Sequence, residues 1–355
     1  MSKKSPKSTT KGYRCLVFDT ETTGLRDKRK VILNPNWKEG MNTETNISKW
    51  MANPDYGHIP HILQLSYILY DSEKPENPTI YNKYIDDILD DDSITITDSA
   101  KGIHNIDKTL IKRCHDFHAS KKLPMEKESE EESEEETEEE TKKLLETVSM
   151  EGALEEFFND IEGVQYIVGH NVQFDIDRLQ EEIDRLKYEE KKTKYKNIIE
   201  EWSERVECTL TANVDTCKLP KTTDQLNYEI TQQKRNPSYT PKYEYKVPTL
   251  SETYEHYFGY EPKKEGLHDA IMDVVLTLRV FLYSVFEVDV CPINETIRDY
   301  LKKITPDKYT DVCAIPSSGE KAGGKRRKSR KTSKSRGGKR RKSKQTKKRR
   351  KKKSL

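Results

Sequence analysis

Three short segments hold the residues best suited to chemistry. In FDTETTGL, Asp19 and Glu21 lie two positions apart, directly after the apolar run Cys15–Phe18. That run reads as a buried strand, and because strand side chains alternate, both carboxylates project from one face. Adjacent anions repel unless a cation sits between them, and hard oxygen ligands at this density suit Mg²⁺ or Mn²⁺ rather than zinc. In VGHNVQFD, Val168 ends a second strand, Asn171 is placed to cap the following helix, and Asp175 falls in its first turn. Asp175 is thus expected at the carboxyl end of a strand, where α/β sheets carry their sites. In GLHDAIMD, Asp269 is placed to cap a helix starting at Ala270, with Asp273 one turn inside and His268 on the loop after Gly266. Were both helical, His268 and Asp273 would stand about 140° apart. From a loop the histidine can converge on the carboxylate, and histidine is the side chain best suited to take a proton near neutral pH.

Each segment taken singly also has a plainer meaning. D-x-E often marks a solvated turn, and a first-turn acid such as Asp175 complements a helix dipole. Asp177 has only that second meaning.

The elements needed to hold these groups are legible in outline. His61–Asp71 and Thr79–Asp86 read as strands after the first, close enough in sequence for an antiparallel run. Helical patterning follows at Asp107–His118, then in LLETVSMEGALEEFFNDI, then from Phe174 to about Arg205. Thr209–Leu219 reads as strand-like, 220–246 as a partly ordered insert, and Thr249–Phe258 and Ala270–Phe286 as the last two helices. The class expected is α/β, a mixed sheet flanked by helices. The domain reading is a basic disordered leader over 1–12, one domain over 13–305 with inserts near 26–59, 115–145 and 180–246, and a disordered basic tail over 306–355.

The three motifs, in this order, resemble those of the DEDDh exonuclease family within the DnaQ-like superfamily. That family includes the proofreading epsilon subunit of bacterial DNA polymerase III and ribonuclease T. Gln64, the IHNI segment at Ile103–Ile106, VDT at Val214–Thr216 and TLSETYEHYFG agree more weakly. Coverage runs from Tyr13 to Phe286, broken by the inserts. The resemblance implies a ribonuclease-H-like fold and 3′→5′ phosphodiester hydrolysis of DNA or RNA with two Mg²⁺ or Mn²⁺ ions, releasing nucleoside monophosphates. Asp19, Glu21, Asp175 and Asp273 would be the metal ligands and His268 the base. Thr22, Thr23, Gly24 and Leu25 would cradle and wedge the terminal nucleotide, and His104, His170 and Asn171 would line the substrate groove. Two other functions are kept beside it: a catalytically idle nucleic-acid-binding or packaging protein, and a proofreading subunit recruited to a separate polymerase.

Composition narrows the setting. Of the 355 residues, 32% are apolar, and the net charge of +2 hides a strong asymmetry. Residues 321–355 carry 21 of the 64 Lys and Arg and no acid, which leaves a net of −19 on residues 1–320. Eleven glutamates crowd between Glu126 and Glu140, a run that reads as a solvated spacer. The tail repeats GGKRRKS, at Gly323–Ser329 and Gly337–Ser343. It reads as a counterion-releasing nucleic-acid arm or as a nuclear address. Similar tails occur on proteins of large DNA viruses, which adds the virion to the nucleus and cytoplasm as candidate locations. The apolar stretch Val274–Phe286 is too short for a membrane span and contains Arg279. Six scattered cysteines form no disulfide framework and favour a reducing, intracellular setting. Cys114, His115 and His118 lack a fourth metal partner, and Trp37, Trp50 and Trp202 read as packing aromatics.

Overall fold

The computed structural model describes residues 12–25, 59–122, 144–264 and 267–314. The basic leader before Gly12, most of the insert at 26–59, the acidic run and the Lys/Arg-rich tail lie outside the described residues.

Strand β1 (Arg14–Thr22) is apolar on both faces because helices cover both. Leu16 and Phe18 face one core with Phe157 and Trp202, whereas Cys15 and Val17 face a second core with Val274, Val275 and Leu278. β2 (Ile62–Asp71) and β3 (Thr79–Ile85) continue antiparallel, as their spacing leads one to expect. Helices α1 (Asp98–His104) and α2 (Lys108–Lys122) follow, then β4 (Thr147–Val148) and α3 (Met150–Asp160). β5 (Tyr166–Gly169) runs parallel to β1 and feeds α4 (Val172–Arg185). After α5 (Glu189–Glu200), β6 (Val206–Cys208) lies parallel to β5. The result is an α/β protein with a mixed six-stranded sheet in the order β4-β3-β2-β1-β5-β6. The remaining helices are α6 (Thr209–Ala212), α7 (Val214–Cys217), α8 (Thr223–Arg235), α9 (Leu250–Phe258), α10 (Ala270–Phe286) and α11 (Glu295–Ile304).

Several elements differ from the sequence expectation. The helix expected from Phe174 to Arg205 is broken after Arg185, where Leu186 turns extended (φ −54°, ψ 149°) and buries its side chain in the core. A 3₁₀ turn at Glu201–Glu204 then drives Trp202 into the aromatic cluster of Phe18, Phe157 and Phe158. Thr209–Leu219 is not a strand. Its threonine-rich composition misleads, because the polar side chains satisfy nearby backbone and so favour short helices: Thr211 Oγ1 donates to the Cys208 carbonyl and Asn213 Nδ2 to that of Thr209. The helix expected from LLETVSM onward starts only at Met150, capped by Ser149, because Thr147 and Val148 pair with β3 instead.

Order also continues past residue 305, beyond the expected start of the tail. Val312 is buried, and its carbonyl accepts from Arg279 Nη1 at 3.1 Å. Cys313 is disulfide-bonded to Cys291, with Cα atoms 5.4 Å apart. The absence of a framework therefore does not mean the absence of a bridge; folding the chain back after α11 brings together two cysteines whose spacing carries no signal. The other four cysteines are free. Among the described residues, no helix is long and apolar enough to cross a membrane. The greasy stretch belongs to α10, the central core helix.

Candidate metal centre and catalytic site

The sheet face that packs on α10 changes character along its length. Cys15, Val17, Ile68 and Tyr70 make its apolar half. Toward the carboxyl end of β1 the same alternating positions become Asp19 and Glu21, with Ser66 and Gln64 opposite them on β2 and Asn82 opposite Ser66 on β3. The first turn of α10 lowers Asp273 onto this polar half. One ligand atom from each of Asp19, Glu21 and Asp273 lies within 4.8 Å of the others, a group that could hold a metal ion. Asp175 reaches the strand end from the opposite face. Its Oδ1 accepts from the Thr20 amide at 3.1 Å and from Thr20 Oγ1 at 2.7 Å, and its side chain is buried.

Burial and mutual repulsion make these carboxylates hard to ionise. Burial pushes Asp19 well above the usual carboxylate range, and the anions of Asp175, Asp273, Glu21 and Asp269 push it further. Glu21 rises to about 9, chiefly by burial and then by Asp273, Asp175 and Asp269. Asp273 rises to about 7 by burial and by Asp269, against a hydrogen bond from the His268 backbone N–H. Asp175 also rises to about 7 by burial, with the Thr20 hydrogen bonds and Arg178 opposing. Partly to fully buried, hard-oxygen and mutually repelling, this donor set fits divalent cations, whose charge would reverse each of these shifts.

His268 lies exposed on the loop before α10, with φ of 64°. The turn after β1 divides its labour. Thr22 and Thr23 are buried and hold the turn: Thr22 Oγ1 donates to the Gly24 carbonyl, and Thr23 Oγ1 accepts from the His61 amide. Gly24 is needed there, because its φ is 155° and a Cβ would come within 2.9 Å of Thr97. Leu25 is 76% exposed.

Of the histidines expected in the groove, His104 bonds within the protein through both ring nitrogens and His170 through one. The Ile106 amide donates to His104 Nδ1, which leaves Nε2 to donate to the Thr22 carbonyl, both at 3.0 Å. Burial lowers its pKa, the Thr22 bond opposing and His268 reinforcing the fall. His104 thus supports the turn that carries Leu25. His170 Nδ1 meets Thr209 Oγ1 at 3.0 Å, its Nε2 is buried without a hydrogen-bond partner, and burial lowers its pKa to about 4, the Pro248 backbone opposing. Asn171 occupies the N-cap position of α4, but in a left-handed conformation (φ 71°) and without a capping side-chain bond. Asp269 likewise heads α10 without capping it, and its carboxylate instead meets Gln64. The expectation that these two side chains cap is therefore corrected.

Sequence reasoning assigns no site role to Thr20, Gln64 or Asp269. Asp269 stands beside His268 in the motif, but the capping role absorbs it; Thr20 points to the other face of β1 and carries no local signal. No protein-family model matches the chain, and no curated protein matches its sequence.

Proposed function

We propose that the protein is a divalent-metal-dependent 3′→5′ exonuclease of the DEDDh type, built on a ribonuclease-H-like sheet. The observation that carries this reading is the meeting of Asp19, Glu21 and Asp273 within 4.8 Å, with buried Asp175 beside them. These carboxylates come from three segments spread over more than 250 residues of chain. A sheet with an antiparallel run β3-β2-β1 extended by two parallel strands is compatible with that fold.

Asp19, Glu21, Asp175 and Asp273 would hold two Mg²⁺ or Mn²⁺ ions. When bound, such ions neutralise the scissile phosphate and stabilise the attacking and leaving oxygens of an in-line displacement. The protein's own groups supply the rest. Thr20 holds Asp175 in place through two hydrogen bonds to one oxygen. His268, on its exposed loop, takes the proton of the attacking water at an imidazole nitrogen. Leu25, presented by a turn that Thr23 and His104 brace, packs against the terminal base. The substrate class is nucleic acid.

The test is hydrolysis of end-labelled single- and double-stranded DNA and RNA by purified full-length protein with Mg²⁺ or Mn²⁺. Stepwise loss of nucleotides from the 3′ end, abolished by chelation and by Asp19→Ala, is expected. Hydrolysis that survives both treatments, or none on any of the four substrates, overturns the reading.

A further inference from the structure

Resting on the exonuclease reading, we propose that Gln64 is a positioning residue that clamps Asp269 and thereby fixes the loop presenting His268. The geometry begins with a cap that is not made. Asp269 stands at the N-cap of α10, and its backbone carbonyl accepts from the Met272 and Asp273 amides at 2.8 and 3.2 Å. Aspartate is among the strongest capping residues, yet this side chain makes no bond to the first turn. Asp269 Oδ1 instead accepts from Gln64 Nε2 at 2.9 Å, across 205 residues of sequence.

Gln64 can act only as a donor here. It is 1% exposed, and its second amide hydrogen goes to Asn82 Oδ1 at 2.8 Å, an oxygen that also accepts from Ser66 Oγ at 2.7 Å. Turning the amide over would set its oxygen against a carboxylate. Ser66, Asn82, Gln64 and Asp269 thus form one chain of hydrogen bonds, anchored in β2 and β3 and ending on the loop. Gln64 is also the register partner of Glu21, so the anchor sits beside the acidic centre.

His268 is the residue this chain holds. Its φ of 64° is uncommon for a side chain larger than glycine and persists only where neighbours enforce it. The residue after it is held twice, its carbonyl by the first turn of α10 and its side chain by Gln64. Releasing the Gln64 tie lets the backbone relax toward ordinary φ and changes where the imidazole is presented. Asp273, being on the helix, stays. The clamp therefore acts on turnover and leaves metal binding alone.

The experiment compares wild-type full-length protein with Gln64→Leu, Gln64→Glu, Asp269→Ala, Asp269→Asn and the exchanged pair Gln64→Glu with Asp269→Asn. Gln64→Leu and Asp269→Ala should lower kcat by roughly 10- to 100-fold, the cost of a base displaced by about 1 Å. KM and the Mn²⁺ Kd of Gln64→Leu should change little. Asp269→Asn keeps an accepting oxygen and should keep most of kcat. Gln64→Glu alone sets two carboxylates together and should lose kcat, which the exchanged pair should recover several-fold by reversing donor and acceptor. Asp269 is exposed, so its variants remain informative if Gln64→Leu fails to fold. Amide exchange at residues 267–270 gives a readout free of activity and should quicken in Gln64→Leu and Asp269→Ala. Unchanged kcat with unchanged exchange overturns the clamp, as does a loss confined to Mn²⁺ affinity. A wild-type protein with no hydrolysis overturns the exonuclease reading instead, and the exchange measurement then decides the clamp by itself.

Discussion

Helix α10 buries ionisable groups at two places, and the chain treats them in opposite ways. Arg279 is fully buried, and every direction of its guanidinium is answered. Nε and Nη2 donate to the two carboxylate oxygens of Asp289, each at 2.9 Å, and Nη1 donates to the Tyr254 hydroxyl and the Val312 carbonyl. The Phe258 ring lies 4.0 Å from the guanidinium carbon. Asp273 lies six residues earlier, about 9 Å along the axis. There the neighbours are more carboxylates, and burial raises their pKa values instead of lowering them. A buried charge neutralised by its own chain is a structural element; buried like charges gathered from three segments destabilise the fold unless something outside the chain compensates them.

The sharpest way to break this contrast is to remove one charge from each place. Asp19→Asn should reduce hydrolysis by at least about 1,000-fold, the scale for losing a principal electrostatic group. The same change should raise the Tm of the metal-free protein, because it relieves repulsion in a buried cluster. Loss of activity accompanied by a lower metal-free Tm would place the acidic centre in the same class as Arg279.

Arg279→Met should do the reverse. Breaking a buried pair from one side destabilises by about 3–5 kcal/mol, while kcat of the folded fraction stays the same. Urea unfolding measures the first and active-site-normalised turnover the second. Adding Asp289→Leu should recover most of the stability, since the orphaned carboxylate is then gone too.

The acidic centre should also set the pH dependence of stability. Glu21, Asp175 and Asp273 bind protons in the metal-free fold up to about pH 9, 7 and 7, whereas an unfolded chain releases them near pH 4. The folded state therefore holds more protons across this window, and metal-free stability falls as pH rises from about 4 through about 9. Calcium, at saturation, should flatten that slope, because it binds the ionised form. Thermal melts at several pH values with and without calcium give the answer; a metal-free Tm that climbs between pH 5 and 8 would contradict the raised pKa values.

The smallest effect is expected at the turn. Leu25→Ala should leave Tm unchanged, since the side chain is 76% exposed, and should raise KM several-fold more than it lowers kcat. An unchanged KM would remove Leu25 from the substrate contacts.

Much of this arrangement is legible in the residues alone. The alternation in FDTETTGL puts Asp19 and Glu21 on one face, and the start of α10 at Ala270 puts Asp273 in its first turn. The antiparallel pairing of β2 with β3 is legible from a short connection and apolar patterning, whereas β1 reaches β2 across residues 23–61. Several failures fall where a polar residue has an alternative that its type and position do not reveal, and others, such as the break at buried Leu186 and the pairing of Val148 with β3, where distant packing decides. Asp269 and Asn171 both look like caps by type and position, but Asp269 bonds to Gln64 and Asn171 takes a left-handed conformation. Thr209–Leu219 looks like a strand by composition, yet its threonine and asparagine side chains bond nearby backbone in short helices.

The sequence by itself determined what depends on neighbours along the chain. Alternation in a strand and the turn of a helix are set within a few residues, so they fix which carboxylates share a face and which stands in a first turn. It determined the charge asymmetry too, with a strongly basic end opposite an acidic remainder. Only the tertiary structure decided which distant partners meet. The register of β2 on β1 set Gln64 beside Glu21, and the seating of α10 on that face brought Asp273 to Asp19 and Asp269 to Gln64. The same seating gave Arg279 its carboxylate and Cys313 its partner. The reason is physical: these pairings arise from burying two whole cores at once, and no short window of residues contains the surfaces that must fit.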